Sequence, residues 1–375
     1  MLYQLSYVRA APILPRYVRD GLPRARLMGD HEGGEMDLHA LELTARALVA
    51  PEKGILAADE STGTIKKRFD TIGVESTEEN RRAYRELLFT TPGFADHISG
   101  VILYDETIRQ SAADGRSFAQ VLADAGSIPG MKVDTGAKEL ALSPGEKVTE
   151  GLDGLRERVA EYRELGARFA KWRAVITIGD GLPTAACIEA NAHALARYAA
   201  LCQEGSLVPI VEPEVLMDGD HTIERCFDVT VWTLKAVYQQ LFEQRVVLEG
   251  TLLKPNMVVS GKDCPTQADV PEVAERTIAA LRATVPAAVP GIVFLSGGQS
   301  EEEATAHLNA MNTLGEQPWQ LSFSYGRALQ ASALDAWRGE PDRVEAGQRA
   351  FSHRAKLNGA ARTGSYTAEM ETIAA

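Results

Sequence analysis

Residues 169–178 read FAKWRAVITI and residues 207–214 read LVPIVEPE, with an alanine-rich stretch of helical spacing between them. Two β-rich runs separated by a helix predict parallel neighbours with the helix laid across the sheet. The same unit recurs in both directions. Upstream stand GILAADES from Gly54, GVILYDE from Gly100 and GMKVDTG from Gly130. Downstream stand LEGTLLKPN from Leu248, GIVFLSGGQS from Gly291 and WQLSFSYGR from Trp319. Eight strands alternating with helices, with no odd antiparallel unit, predict an α/β fold closed into a (β/α)8 TIM barrel. The competing arrangement is an open doubly wound sheet, but its GxGxxG fingerprint is missing after the first strand, where ADESTG stands.

Helix ends are legible too. Ser76–Glu79 has the form of a capping box, and residues 152–165 read as a helix stopped by Gly166. Pro183 fits a first helical turn. Helices are expected over 221–245, 269–285 and 300–314, the last capped by Ser300 with Glu303. After Met36 no Pro/Gly/Ser linker divides the chain, so 36–367 is read as one barrel and 368–375 as a short tail.

The first 35 residues differ. They hold five arginines, three prolines and no sustained period, and carry +1, leaving −14 on the other 340. A targeting peptide is one reading, but Asp20, Asp30, Glu32 and Glu35 are out of place in one. The preferred reading is an upstream extension, loosely ordered and without chemistry, with Met36 as the functional start.

Composition narrows the function. Of 375 residues, 45% are hydrophobic and 24% charged, an ordinary globular balance. The net charge of −13 argues against a nucleic-acid partner while allowing a local cationic pocket. No apolar run reaches eighteen residues, so no membrane span is expected. Cys187, Cys202, Cys226 and Cys264 have no metal-like spacing and read as reduced thiols in a cytoplasmic protein.

The chemistry sits at the strand ends, where a TIM barrel keeps its site. Asp59 ends the first strand. Lys132 and Asp134 lie two apart in the third, Lys171 and Arg173 in the fourth, and Glu212 and Glu214 in the fifth. Lys254 ends the sixth. Residues two apart share a face, so these charges converge on one barrel mouth. Lysines crowded there should depress one another's pKa, turning one into an amine nucleophile for a carbonyl. The carboxylates supply proton transfer. Ser296-Gly297-Gly298 and Gly326-Arg327 offer backbone N–H groups and a cation after the last two strands, the habitual phosphate site of this barrel. ESTGTIKKR offers a second anion site through Ser61, Thr64 and Lys67 or Arg68. Two anion sites on opposite sides of a nucleophilic lysine imply a bisphosphorylated sugar.

ILAADESTG, FAKWR, VPIVEPE, DGDH, LEGTLLKPNM, FLSGGQSEEEA and FSYGRALQASAL resemble the class I, Schiff-base fructose-1,6-bisphosphate aldolases over about residues 36–367. The resemblance implies reversible cleavage of fructose 1,6-bisphosphate to dihydroxyacetone phosphate and glyceraldehyde 3-phosphate. It makes Lys254 the Schiff-base lysine and Glu212 the principal acid/base, with Glu214 and Lys171 tuning it. Asp59 then handles the C4 hydroxyl and Arg173 holds substrate. Ser296, Gly297, Gly298, Gly326 and Arg327 take the C1 phosphate, and Ser61, Thr64 and Arg68 the C6 phosphate. A homotetramer is implied as well.

Two departures stand out. Thr135 follows Asp134 where the family often has lysine, weakening one contact to the C6 phosphate. Animal members end in a tyrosine that protonates the enamine, whereas this chain reads ETIAA at 371–375. Tyr366, in GSYTAEM, matches an interior position of that tail. No metal or cofactor is expected, since the seven histidines form no ligand-like cluster at a strand end, and His221 reads as a loop or helix-start residue. Competing readings are a transaldolase-like Schiff-base enzyme, which needs no second anion site, and a non-catalytic phosphosugar binder, which would have lost Lys254 or Glu212.

Overall fold

The computed structural model describes residues 37–372, so the reading of residues 1–35 falls on positions outside it. Ten strands follow in chain order: β1 (Gly54–Ala58), β2 (Ile98–Leu103), β3 (Ile128–Lys132), β4 (Gly136–Glu139), β5 (Lys147–Glu150), β6 (Phe169–Ile176), β7 (Val208–Val215), β8 (Leu252–Leu253), β9 (Gly291–Phe294) and β10 (Gln320–Tyr325). Eight of them close a parallel barrel in the order β1-β10-β9-β8-β7-β6-β3-β2, with helices around it. The TIM barrel expected from the alternation is the fold of the described chain.

The expectation of no antiparallel unit fails. β4 and β5 form a hairpin outside the barrel, between β3 and the helix Leu155–Glu164. Its strands are short and largely exposed, so they carry little apolar pattern. The cap at Ser76 is also off by one. Thr77 caps the helix Glu78–Phe89, accepting from Asn80 N at 3.1 Å, and no capping box forms. Pro183 lies ahead of the cap, Thr184, of the helix Ala185–Glu204. Ser300 and Glu303 do form the expected box before Glu301–Thr313.

The lower end of the barrel is plugged. Leu41, Ala45 and Leu48 of the helix Leu38–Leu48 pack with Val49, Ile55, Phe169, Val208 and Leu252. Ser99 Oγ donates to the carbonyls of Leu48 and Gly54 at 2.6 and 2.9 Å. Gly130 is obligatory here, because a Cβ on it would lie 2.2 Å from the Phe169 ring. From the far end of the chain, Arg362 donates to the carbonyls of Ala50 and Lys53 at 2.6 and 2.5 Å. With the bottom filled, the upper mouth carries the cavity.

β8 is short because Pro255 follows Lys254 and has no N–H to give a neighbour. Lys254 itself stays in the ladder, its N–H reaching Val211 O at 2.8 Å. The lysine expected from the sequence to carry the chemistry is thus fixed by a strand hydrogen bond at the point where the strand stops.

Candidate active site

A cavity of about 1270 Å³ opens at the upper mouth. Its walls include Lys254, Glu212, Asp59, Lys171, Glu214, Arg173, Ser61, Thr64, Arg68, Ser296, Gly297, Gly298, Gly326 and Arg327, every site residue expected from the sequence. Ten Lys or Arg line it against nine Asp or Glu. The mouth is therefore slightly cationic on a chain of net −13, which favours an anionic ligand there.

Its centre is a dry relay of charges. Lys254 Nζ lies 3.2 Å from Glu212 Oε1, and Lys171 Nζ lies 3.3 Å from Glu212 Oε2. Lys171 also stands 2.7 Å from Asp59 Oδ2 and 4.0 Å from Asp134 Oδ2. Lys171, Glu212 and Lys254 are each under 5% exposed, so these charges persist only because they are mutually compensated. Glu212 Oε2 has no hydrogen bond of good geometry among the described residues, leaving a lone pair to take a proton.

The expectation that clustered lysines depress one another fails for Lys171. Burial alone would lower its pKa, but Asp59, Glu212 and Asp134 outweigh that and raise it above the ordinary lysine value. Burial likewise works to raise the Asp59 carboxyl, and Lys171, Lys254 and Lys132 hold it below its ordinary value instead. In the resting site Lys171 is therefore the ammonium and Asp59 the carboxylate. Among the described residues Lys254 has one carboxylate, Glu212, within ion-pair distance where Lys171 has three.

Glu214 engages Arg173 directly, Oε2 to Nε. It orients that guanidinium across the mouth and makes no ion pair with Lys171. Burial disfavours the Arg173 cation, yet Glu214, Glu212 and Asp134 raise its pKa.

The residues expected to hold anions follow three neighbouring strands of the ring, β9, β10 and β1. Barrel closure pairs β1 with β10, so the Ser61–Arg68 segment and the Gly326 turn are neighbours. In the closed order β10 stands two strands and β1 three strands from β8. Arg68 leans so far across that a Cβ on Gly326 would sit 3.3 Å from its Nη2. Glu60, buried, clamps Arg68 by one oxygen and Arg85 at 2.6 Å by the other. Ser61 caps the helix Thr62–Thr71, its Oγ 3.1 Å from Thr64 Oγ1. Gly297 and Gly298 adopt φ of +58° and +109°, turning the Ser296–Gly298 backbone into a tight concave loop. Gln299 Nε2 braces that loop on Ser296 O at 3.0 Å.

Lys132, paired with Asp134 at 2.7 Å, faces the relay from β3, where sequence reading gave it no role. Glu60, Lys262 and Asp218 were missed outright. Their only sequence signal is proximity to the motifs: Glu60 inside ADES, Asp218 inside DGDH, and Lys262 eight residues past the site lysine. His221 is buried with neither ring nitrogen hydrogen-bonded among the described residues; it serves through its carbonyl, which accepts from Gly261 N at 2.8 Å.

The model of the fructose-bisphosphate aldolase class-I family matches residues 40–375. A probable fructose-bisphosphate aldolase class 1 of Xanthomonas campestris pv. campestris is 62% identical over 332 residues, 88% of this chain and 99% of that protein. Fructose-bisphosphate aldolase 4, cytosolic, of Arabidopsis thaliana is 56% identical over 89% of this chain and 86% of its own length. The solved fructose-bisphosphate aldolase of Plasmodium falciparum superposes with a TM-score of 0.87 at 51% identity, covering 88% of this chain and 95% of that one.

Proposed function

The chain belongs to the class I fructose-bisphosphate aldolase family, and from that premise we propose how its own side chains divide the work. The enzyme is a lyase that reversibly cleaves fructose 1,6-bisphosphate to dihydroxyacetone phosphate and glyceraldehyde 3-phosphate. The observation that carries the assignment of roles is the Lys254–Glu212–Lys171–Asp59 relay.

Lys254 passes a proton to Glu212 and attacks the substrate's C2 carbonyl as the free amine. Glu212 returns the proton to the departing C2 hydroxyl, water leaves, and an iminium forms. Asp59, held anionic, takes the C4 hydroxyl proton as the C3–C4 bond breaks and its electron pair flows to the iminium. Glyceraldehyde 3-phosphate leaves, and the enamine takes a proton at C3. Hydrolysis of the resulting iminium then frees dihydroxyacetone phosphate and Lys254. Lys171 favours the anionic form of Asp59 and aims both Asp59 and Glu212 in a dry site. The Ser296–Gly298 loop and Arg327 hold the C1 phosphate; Ser61 and Thr64 meet the C6 phosphate, with Arg68 and Arg173 as flanking cations. Borohydride reduction with dihydroxyacetone phosphate, followed by mapping of the modified lysine, tests the scheme: label on Lys254 supports it, and label elsewhere overturns it.

Homotetrameric assembly and cytoplasmic residence are part of the same proposal. They are supported by the family resemblance and by the cytosolic designation of the Arabidopsis relative. Light scattering should return four times the 40.6 kDa chain mass.

A further inference from the structure

Lys262 lies at the mouth, yet the scheme above leaves it without work. Its backbone is fixed by an unusual splice between the segments that follow β7 and β8. Gly261 N donates to His221 O at 2.8 Å, Lys262 N to Met217 O at 2.8 Å and Asp263 N to Gly219 O at 2.9 Å. The approach is so close that a Cβ on Gly261 would lie 2.3 Å from Gly219 O, so only glycine fits.

From that anchor the side chain crosses the glycine loop after β9. The point where a Cβ would stand on Gly298 is 3.2 Å from Lys262 Nζ and 3.1 Å from its Cε. The same ammonium lies 3.0 Å from Asp218 Oδ1. Both members of this pair are substantially exposed, and exposed pairs hold weakly. A phosphate dianion entering the loop offers more charge and more acceptors than one carboxylate does.

We propose that Lys262 is a substrate-binding residue for the C1 phosphate, parked on Asp218 in the empty enzyme and transferred to the ester when it seats in the Ser296–Gly298 loop. The proposal rests on the aldolase reading of the mouth and adds a residue and a parking partner to it. Lys262 adds a side-chain cation beside Gly298 in that loop. It therefore follows the phosphate through the reaction, holding intact substrate and the three-carbon product alike.

The test uses the full-length enzyme. Lys262→Met should raise KM for fructose 1,6-bisphosphate and for fructose 1-phosphate by the same factor, about tenfold, with kcat within about threefold. Lys262→Arg should recover most of the loss, because a guanidinium also grips phosphate. Asp218→Asn should lower both KM values by freeing the ammonium. Inorganic phosphate, titrated calorimetrically, should bind the Met variant about fivefold or more weakly and so reads the site without turnover. Unchanged KM values and phosphate affinity in Lys262→Met would overturn the proposal. So would a rise confined to the bisphosphate, which would put Lys262 on the other ester. Failure of the wild-type protein to trap dihydroxyacetone phosphate on Lys254 would instead strike the aldolase reading of the site, while the phosphate titration would still judge Lys262.

Discussion

Lys171 and Lys254 share one buried carboxylate: Glu212 turns Oε2 to the first at 3.3 Å and Oε1 to the second at 3.2 Å. The two lysines are not equivalent, because Asp59 and Asp134 also surround Lys171. In the proposed scheme the first is a standing charge and the second the nucleophile.

Lys254→Arg should abolish cleavage and borohydride trapping together, since a guanidinium keeps its proton. Lys171→Met should keep trapping on Lys254 but slow turnover by about a hundredfold or more. It should also lower stability by about 3–5 kcal/mol, because buried carboxylates lose their cation. Trapping that persists in Lys254→Arg would move the nucleophile to Lys171. Activity should survive EDTA, the iminium serving as the electron sink.

His307 should set part of the acid sensitivity. Burial depresses its pKa to about 4, and its neutral ring donates from Nδ1 to Gln299 Oε1 at 2.5 Å. Between about pH 6.5 and 4 the unfolded chain binds a proton that the native state refuses. Stability therefore falls as pH drops through that window, by up to about 3 kcal/mol. His307→Gln should flatten this part of the melting-temperature profile; an unchanged slope would remove His307 from the account.

Tyr366 should not protonate the enamine. Its hydroxyl donates to Glu371 Oε1 at 2.7 Å, and Arg354 grips Glu371 at 2.9 and 2.6 Å. Tyr366 is absent from the cavity walls. Burial and Glu371 both raise its pKa, keeping it neutral. Tyr366→Phe should cost about 1 kcal/mol of stability and leave C3 proton exchange of dihydroxyacetone phosphate nearly unchanged. A fall of about a hundredfold with single-turnover cleavage intact would make it the acid. Any truncation of this tail must spare Arg362, whose guanidinium seals the barrel floor.

Deleting residues 1–35 should leave melting temperature and turnover close to those of the full chain. The sequence of that segment has no sustained period and carries none of the site motifs. A marked loss of either would show that the segment contributes to the barrel.

The barrel was legible because each strand combines a β-rich run with a charged end, as in VPIVEPE, and those ends are the site. Distances within the relay follow from the period-two face and were foreseeable to that extent. What the chain hid depends on closure and on backbone. The nearness of Arg68 to Gly326 arises only because β1 meets β10. The hairpin β4–β5 has too little apolar alternation to stand out. Lys262 looks like any surface lysine until the Gly261–Gly219 approach carries it over the glycine loop. Cooperation between Glu60 and two arginines is likewise a contact across 8 and 25 residues that no local pattern encodes.

The seam between β1 and β10, with Ser322 Oγ donating to Lys53 O at 2.9 Å, has a consequence for how the protein is made. Domains emerge from the ribosome N-terminus first at about 5–20 residues per second. Lys254 is thus synthesised roughly five to twenty seconds before Arg362 arrives to seal the floor. Until β10 emerges, the edge of β1 away from β2 is unpaired and open to strand addition from another nascent chain. The nucleophile exists early, but Asp59 and the phosphate-holding turns come into register with it only when the last strand is in place. A chain stalled before β10 would carry every residue proposed as catalytic and still lack the closed ring that brings them together.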